Sequence, residues 1–157
     1  MGLHVALYQP EIPPNTGNIA RTCLGTGTSL HLIHPLGFKI DDKTLRRAGL
    51  DYWKHVDVHE HESFEALHSS WPNAEFYYIE NYGTSYLTDV DFNRPDRDIF
   101  LVLGKETTGI PHELLVGKED RCLRIHMNDQ IRSLNLSNAC AIAIYEVLRQ
   151  QGFPNLK

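Results

Sequence analysis

The sequence is poor in several features that common functions require. Cysteine is scarce: only Cys23, Cys122 and Cys140 occur, with no C-x-x-C spacing. A disulfide framework or a zinc site therefore has nothing to build on, and the three read as reduced core thiols. Long apolar runs are absent. No stretch approaches the roughly 18 apolar residues of a membrane helix, and the short apolar start, Met1 to Tyr8, lacks the basic region of a signal peptide. The expected location is cytoplasmic. Positive charge is also limited: 15 Lys and Arg face 20 Asp and Glu, a net charge of −5 with nine histidines counted neutral. That balance excludes a surface coated in cations for nonspecific nucleic-acid binding, while leaving room for a local basic site. Repeats and low-complexity tracts are missing too. The remainder, 41% hydrophobic and 22% charged, is ordinary globular composition. Residues 1–157 are expected to form one domain, long enough to bury about two thirds of its unfolded surface.

Apolar runs alternate with helical periodicity along most of the chain. Strands are expected at Leu3 to Tyr8, Leu30 to Ile33, around Val56 and Val58, at Phe76 to Ile79, at Ile99 to Leu103 and at Cys122 to Ile125. Helices are expected at Asn15 to about Leu24, Asp42 to Ala48, Phe64 to His68, just after Pro111, and from Leu136 to Arg149. Such alternation implies an α/β layer structure built on a mainly parallel sheet. The last helix carries its main apolar stripe on Leu136, Ala139, Cys140, Ala143, Ile144, Val147 and Leu148. Ile142 and Tyr145 lie off that stripe, so a second face is expected to meet a partner, most simply another copy of the chain.

Three polar stretches stand where apolar runs hand over to helices: Asn15-Thr16-Gly17-Asn18-Ile19-Ala20-Arg21, Leu103-Gly104-Lys105-Glu106-Thr107-Thr108-Gly109-Ile110 and Arg132-Ser133-Leu134-Asn135-Leu136-Ser137-Asn138-Ala139. Loose backbone N–H and C=O groups at such junctions suit a polar ligand. In the first stretch the prolines of Gln9-Pro10-Glu11-Ile12-Pro13-Pro14 stiffen the approach. Asn15 or Thr16 then makes a good helix cap. Asn18 and Arg21, three residues apart on a helix, place an amide beside a guanidinium. The second stretch follows a strand, where ligands of parallel sheets sit, but it matches neither a phosphate loop nor G-x-G-x-x-G. Glu106 either orients Arg21 or caps a turn. In the third, a helix cap accounts for one or two of Ser133, Asn135, Ser137 and Asn138, not for all four.

Two other clusters have simpler accounts. The run His55-Val56-Asp57-Val58-His59-Glu60-His61 suggests metal at first sight, yet strand alternation sends the polar side chains to a solvent face, and no metal is expected. The basic residues Lys39, Lys43, Arg46 and Arg47 fit either phosphate contacts or a solvated helix whose charges follow its dipole.

The order, spacing and residues of the three loops resemble the signature motifs of the SPOUT (α/β-knot) superfamily of RNA methyltransferases. Tyr8 to Asn18, Asp41-Asp42-Lys43, Arg46 to Tyr52 and Arg132 to Asn138 are similar to the small bacterial tRNA (cytidine/uridine) 2'-O-methyltransferases acting at the wobble nucleotide. The resemblance spans nearly the whole chain. It implies helices on both faces of the sheet and a C-terminal segment threaded into a deep trefoil knot, something physical reasoning would not reach, since knots are rare. It also implies S-adenosylmethionine as cofactor, held by Ile79, Leu103, Gly104, Ile125, Met127, Ser133 and Leu134, and a homodimer that completes the site.

By the same resemblance the reaction is 2'-O-methylation of nucleotide 34 in tRNA, in leucine isoacceptors. Arg21 is then the catalytic residue at the ribose hydroxyl, with Asn18, Glu106, Asn135 and Tyr145 in support. Lys39, Lys43, Arg46 and Arg47 are the expected contacts to the anticodon loop, whose unstacked bases are open to side chains. The alternatives are a ribosomal-RNA methyltransferase of this fold and a noncatalytic RNA-binding adaptor. One departure is His126, where these proteins usually have proline; it frees the backbone before the third motif.

Overall fold

The computed structural model describes residues 2–40, 43, 47 and 52–157. Among these residues seven strands form one sheet: β1 (Leu3–Tyr8), β2 (Ser29–Ile33), β3 (Val58–His61), β4 (Glu75–Ile79), β5 (Ser85–Tyr86), β6 (Ile99–Leu103) and β7 (Cys122–Arg124). Their order across the sheet is β3-β2-β1-β6-β4-β7-β5, and every pairing is parallel. The central strand β6 is buried at all five positions, the pattern of a strand covered on both faces.

Among the described residues, the helices that cover the sheet are α1 (Pro13–Thr26), α2 (Phe64–Ser70) and α3 (Leu136–Gln150). One core joins Val5, Leu7, Leu30, Leu32, Leu101 and Leu103 to Ile19, Ala20 and Cys23 of α1 and to Cys140, Ala143, Ile144 and Val147 of α3. The other joins Ala6, Ile33, Phe100, Val102 and Tyr78 to Phe64 and Leu67 of α2. Because side chains alternate along each strand, the odd and even positions of β1 and β6 feed opposite cores. The buried stripe of α3 is the expected one, and Ile142 and Tyr145 are 43% and 50% exposed.

Several boundaries differ from the sequence expectation for physical reasons. Pro13 and Pro14 open α1 instead of holding an irregular approach; first-turn N–H groups have no intrahelical acceptor, so proline forfeits nothing there. Asn15 and Thr16 consequently lie inside the helix and are buried, while the cap position falls to Ile12, whose side chain supplies no hydrogen bond. The helix ends on Gly27 in the left-handed conformation, φ 69°.

The strand expected around Val56 begins only at Val58. His59 and His61 also pack against protein, although the His59 side chain stays 41% exposed. The register pairs His59 with His31 of β2, and the rings of His59 and His61 stack on the His31 ring at centroid distances of 4.6 and 5.1 Å. The long connection before β6 contains the short strand β5 and a 3₁₀ turn at Leu87–Asp89, neither of which its composition suggested. Lys43 and Arg47 are helical and exposed; the rest of the helix expected at Asp42 to Ala48, Arg46 included, lies outside the described residues.

Candidate active site

Parallel strands direct all their C-terminal ends to one edge, so the loops that follow them gather there. At that edge a cavity of about 620 Å³ opens beyond β4, β6 and β7. Its wall includes Ile79, Leu103, Gly104, Ile125, Met127, Ser133 and Leu134, the seven residues expected to hold a cofactor, together with Asn15, Glu106 and Asn135. All three polar loops therefore reach one space.

The second loop turns so tightly that its glycines are required. The Gly109 N–H donates to the Lys105 carbonyl at 2.8 Å, and a Cβ on Gly104 would lie 2.2 Å from the Gly109 carbonyl carbon. Gly109 itself has φ 71°, which favours glycine.

Glu106 resolves its two alternatives in favour of a cap. Its carboxylate accepts the backbone N–H groups of Glu11 at 3.0 Å and Ile12 at 2.6 Å and lies 3.5 Å from the Asn15 amide. A side chain 94 positions away from Ile12 thus does for the start of α1 what a local capping residue usually does. Glu11 returns the contact: its carboxylate accepts the Thr107 hydroxyl at 2.7 Å and the Thr107 N–H at 3.1 Å, and these bonds hold it below the usual carboxylate range. The third loop joins through Asn135, which donates to Asn15 Oδ1 at 3.1 Å. Asn135 Oδ1 also accepts from the Ser137 and Asn138 N–H groups and from the Ser137 hydroxyl, capping α3. The cap accounts for the side chains of Asn135 and Ser137, with Ser133 left on the cavity wall.

The model of the SpoU rRNA Methylase family matches residues 2–145. The chain belongs to that family. A Geobacillus stearothermophilus relative, named provisionally as a tRNA (cytidine(34)-2'-O)-methyltransferase, is 58% identical over 99% of both chains. A crystal structure described provisionally as an RNA methyltransferase of Bacillus anthracis superposes with a TM-score of 0.94 at 53% identity, covering 99% of this chain and 98% of the other. Another, concerned with the 2-OH methylation of C/U34 on tRNA, gives 0.87 at 43% identity over 96% of both.

Not every expected residue of this SpoU-family chain reaches the cavity. Asn18 and Arg21 are exposed on α1, outside the cavity wall, with the Arg21 guanidinium 5.0 Å from the centre of the Tyr52 ring. Tyr145 lies on α3 beside a separate, shallow groove that also takes in His126, Arg149 and Phe153. Lys39, like Lys43 and Arg47, is exposed. His126 is exposed and stacks on Tyr86 of β5 at 3.8 Å, a contact proline would not make.

Sequence reasoning missed Glu11, Glu80 and Asn81. Glu80 and Asn81 line the cavity just past β4, and burial pushes the Glu80 carboxyl above its ordinary range. The signal that points to them is positional: both directly follow a strand of a parallel sheet, where ligand loops begin.

Proposed function

We propose that this chain methylates the ribose 2'-oxygen of nucleotide 34 in tRNA, with S-adenosylmethionine as methyl donor. One observation carries the proposal: the three polar loops converge on a single cavity, in a chain 58% identical over 99% of its length to a relative with that name. The cavity suits such a cofactor. Its volume falls in the range of small-molecule sites, its wall mixes Ile79, Leu103, Ile125 and Leu134 with polar loop backbone, and the Gly104–Gly109 turn leaves no room for side chains at its glycines.

When bound, the cofactor supplies an electrophilic methyl group on sulfonium; the chain must align an oxygen with it and keep water away. The apolar residues provide the dry wall and the polar loops the orientation. Arg21, effectively always protonated, is assigned to grip phosphate and hydroxyl and to stabilise developing negative charge rather than to act as a base. Asn18 and Tyr145 are assigned to support it, while Glu106 and Asn135 do so indirectly, by fixing the start of α1 that carries it. Lys39, Lys43, Arg46 and Arg47 are assigned to the phosphates of the anticodon loop, and leucine isoacceptors to the substrate.

A homodimer belongs to the same reading. Arg21 and Asn18 stand outside the wall of their own chain's cavity, and Ile142, Tyr145 and Phe153 leave an apolar face open on and beside α3. A second copy would cover that face and bring its own Arg21 to the neighbouring cavity. The single domain, the threaded C-terminal segment and the cytoplasmic location complete the proposal; no described helix is long and apolar enough to cross a membrane.

The test is methyl transfer from labelled S-adenosylmethionine to bulk bacterial tRNA, followed by nuclease digestion and mass spectrometry. Label at the 2'-oxygen of nucleotide 34 is expected. The family's description names ribosomal RNA, so rRNA fragments are the control. Transfer to them alone would refute the tRNA assignment, and failure to bind cofactor would favour a noncatalytic adaptor.

A further inference from the structure

The cavity has a fourth polar wall that no signature loop accounts for. β4 ends at Ile79, and the next three residues each engage a distant part of the site. The Ile110 N–H donates to Glu80 Oε1. The Tyr82 hydroxyl donates to the Ile110 carbonyl at 3.1 Å, so both polar groups of that buried residue are taken from one short segment. Between them, Asn81 Nδ2 donates to the Arg132 carbonyl at 2.6 Å, across 51 positions. Ile110 closes the second loop and Arg132 opens the third.

We propose that Glu80-Asn81-Tyr82 is a positioning clip that holds the second and third loops closed around the cofactor cavity. The inference rests on the cofactor assignment above.

Geometry supports the clip from the other side as well. Gly109, the left-handed hinge of the second loop, lies so close to Glu80 that a Cβ there would be 2.5 Å from Oε1. The segment is itself anchored, since a Cβ on Gly83 would be 2.3 Å from the Cys122 carbonyl oxygen. Glu80 N–H also donates to the Leu123 carbonyl at 3.0 Å, tying the clip to β7. A segment fixed to the sheet and bonded to two loops transmits the sheet's rigidity to them. Ser133 and Leu134, on the cavity wall, are the immediate neighbours of the carbonyl that Asn81 holds.

The experiment compares Asn81→Ala, Asn81→Asp and Tyr82→Phe with the unmodified protein. Amide hydrogen exchange is followed in the ligand-free chain, and calorimetry gives Kd for S-adenosylmethionine and S-adenosylhomocysteine. Loss of one such hydrogen bond predicts cofactor binding about fivefold weaker in Asn81→Ala. Exchange should quicken at residues 132–134 in that variant and at Ile110 in Tyr82→Phe. Asn81→Asp should bind more weakly still, because a carboxylate would face the Arg132 carbonyl; a role limited to filling space would not order the variants so. In turnover, the loss should fall on KM for the cofactor rather than on KM for the RNA. Unchanged exchange in both loops, or Asn81→Asp binding as well as Asn81→Ala, would overturn the proposal. If the unmodified chain binds no cofactor while exchange responds as described, the clip stands and the cofactor assignment fails.

Discussion

Acidification should destabilise this fold before the lowered carboxylates Asp57 and Asp98 titrate, because of a wired row of histidines beside Trp71, just past α2. Asp98 Oδ1 lies 3.1 Å from His4 Nε2, His4 Nδ1 lies 3.0 Å from His31 Nε2, and His31 Nδ1 lies 2.9 Å from His61 Nε2. If Asp98 accepts from His4, each ring must donate through Nε2 and accept through Nδ1. A further proton on His31 would then set two N–H groups against each other inside a fully buried site. Burial, followed by the neighbouring His4, His59 and His61, pushes the His31 pKa down to about 2, with Asp57 opposing weakly. The unfolded chain titrates this group at the ordinary value of 6.5, so below that pH the unfolded state binds the extra proton and stability rises with pH. Well below pH 6.5 one such group contributes a slope of about 1.4 kcal/mol per pH unit, and about 2.3 kcal/mol between pH 6.5 and 4.5. Domains of this size are stable by roughly 5–15 kcal/mol, so the loss is large. His4, His61 and His68 are lowered as well, mainly by burial, and add to the slope. Asp57 and Asp98, whose pKa values are lowered, contribute losses only at still lower pH. Urea unfolding at pH 7.5, 6.5, 5.5 and 4.5 measures the slope, and His31→Leu should remove one proton's share of it whatever that variant's absolute stability. A flat profile between pH 6.5 and 4.5 would refute the reasoning.

Three further outcomes are expected. Glu106→Ala removes the acceptor for two backbone N–H groups before α1, which should cost about 1–2 kcal/mol and lower the melting midpoint by roughly 3–6 °C; calorimetric melting checks it, and an unchanged midpoint would return Glu106 to a purely functional role. Gly104→Ala forces a methyl group into the Gly109 carbonyl carbon, so the second loop cannot close, and cofactor affinity measured by titration calorimetry should fall by more than roughly tenfold. Arg21→Ala should lower turnover by about 10²–10³-fold while cofactor Kd stays within about twofold; equal rates for the two proteins would end the assignment of Arg21 to the ribose hydroxyl.

The parts of this site that were legible in the sequence are those whose cause is local. Leu103-Gly104 follows a run of apolar residues, and Asn135 precedes a helix whose N–H groups it caps, so strand end and helix start announced themselves within a few residues. The sheet, too, was legible, because parallel strands buried on both faces read as unbroken apolar runs. The histidines misled for the converse reason. Alternation places His59 and His61 on one face of β3 but does not say what covers that face, and the answer, His31 and the aromatic layer around it, comes from another strand through its register.

Long-range hydrogen bonds explain the rest. Whether Glu106 turned to Arg21 or to a helix start stayed open because its partners, Glu11 and Ile12, are 95 and 94 positions away. With that distant carboxylate available, α1 needs no capping side chain of its own, which is why Asn15 was free to move into the helix and bridge to Asn135. A residue that looks like a local cap in the sequence thus serves as the link between the first and third loops. The same logic hides Glu80-Asn81-Tyr82: no helix starts there and no glycine pattern marks it, yet each residue meets a partner 28 to 51 positions away. In a parallel sheet the polar residues just beyond every strand end share one edge, so they are best read as one group even where the segment that carries them looks like an ordinary connection.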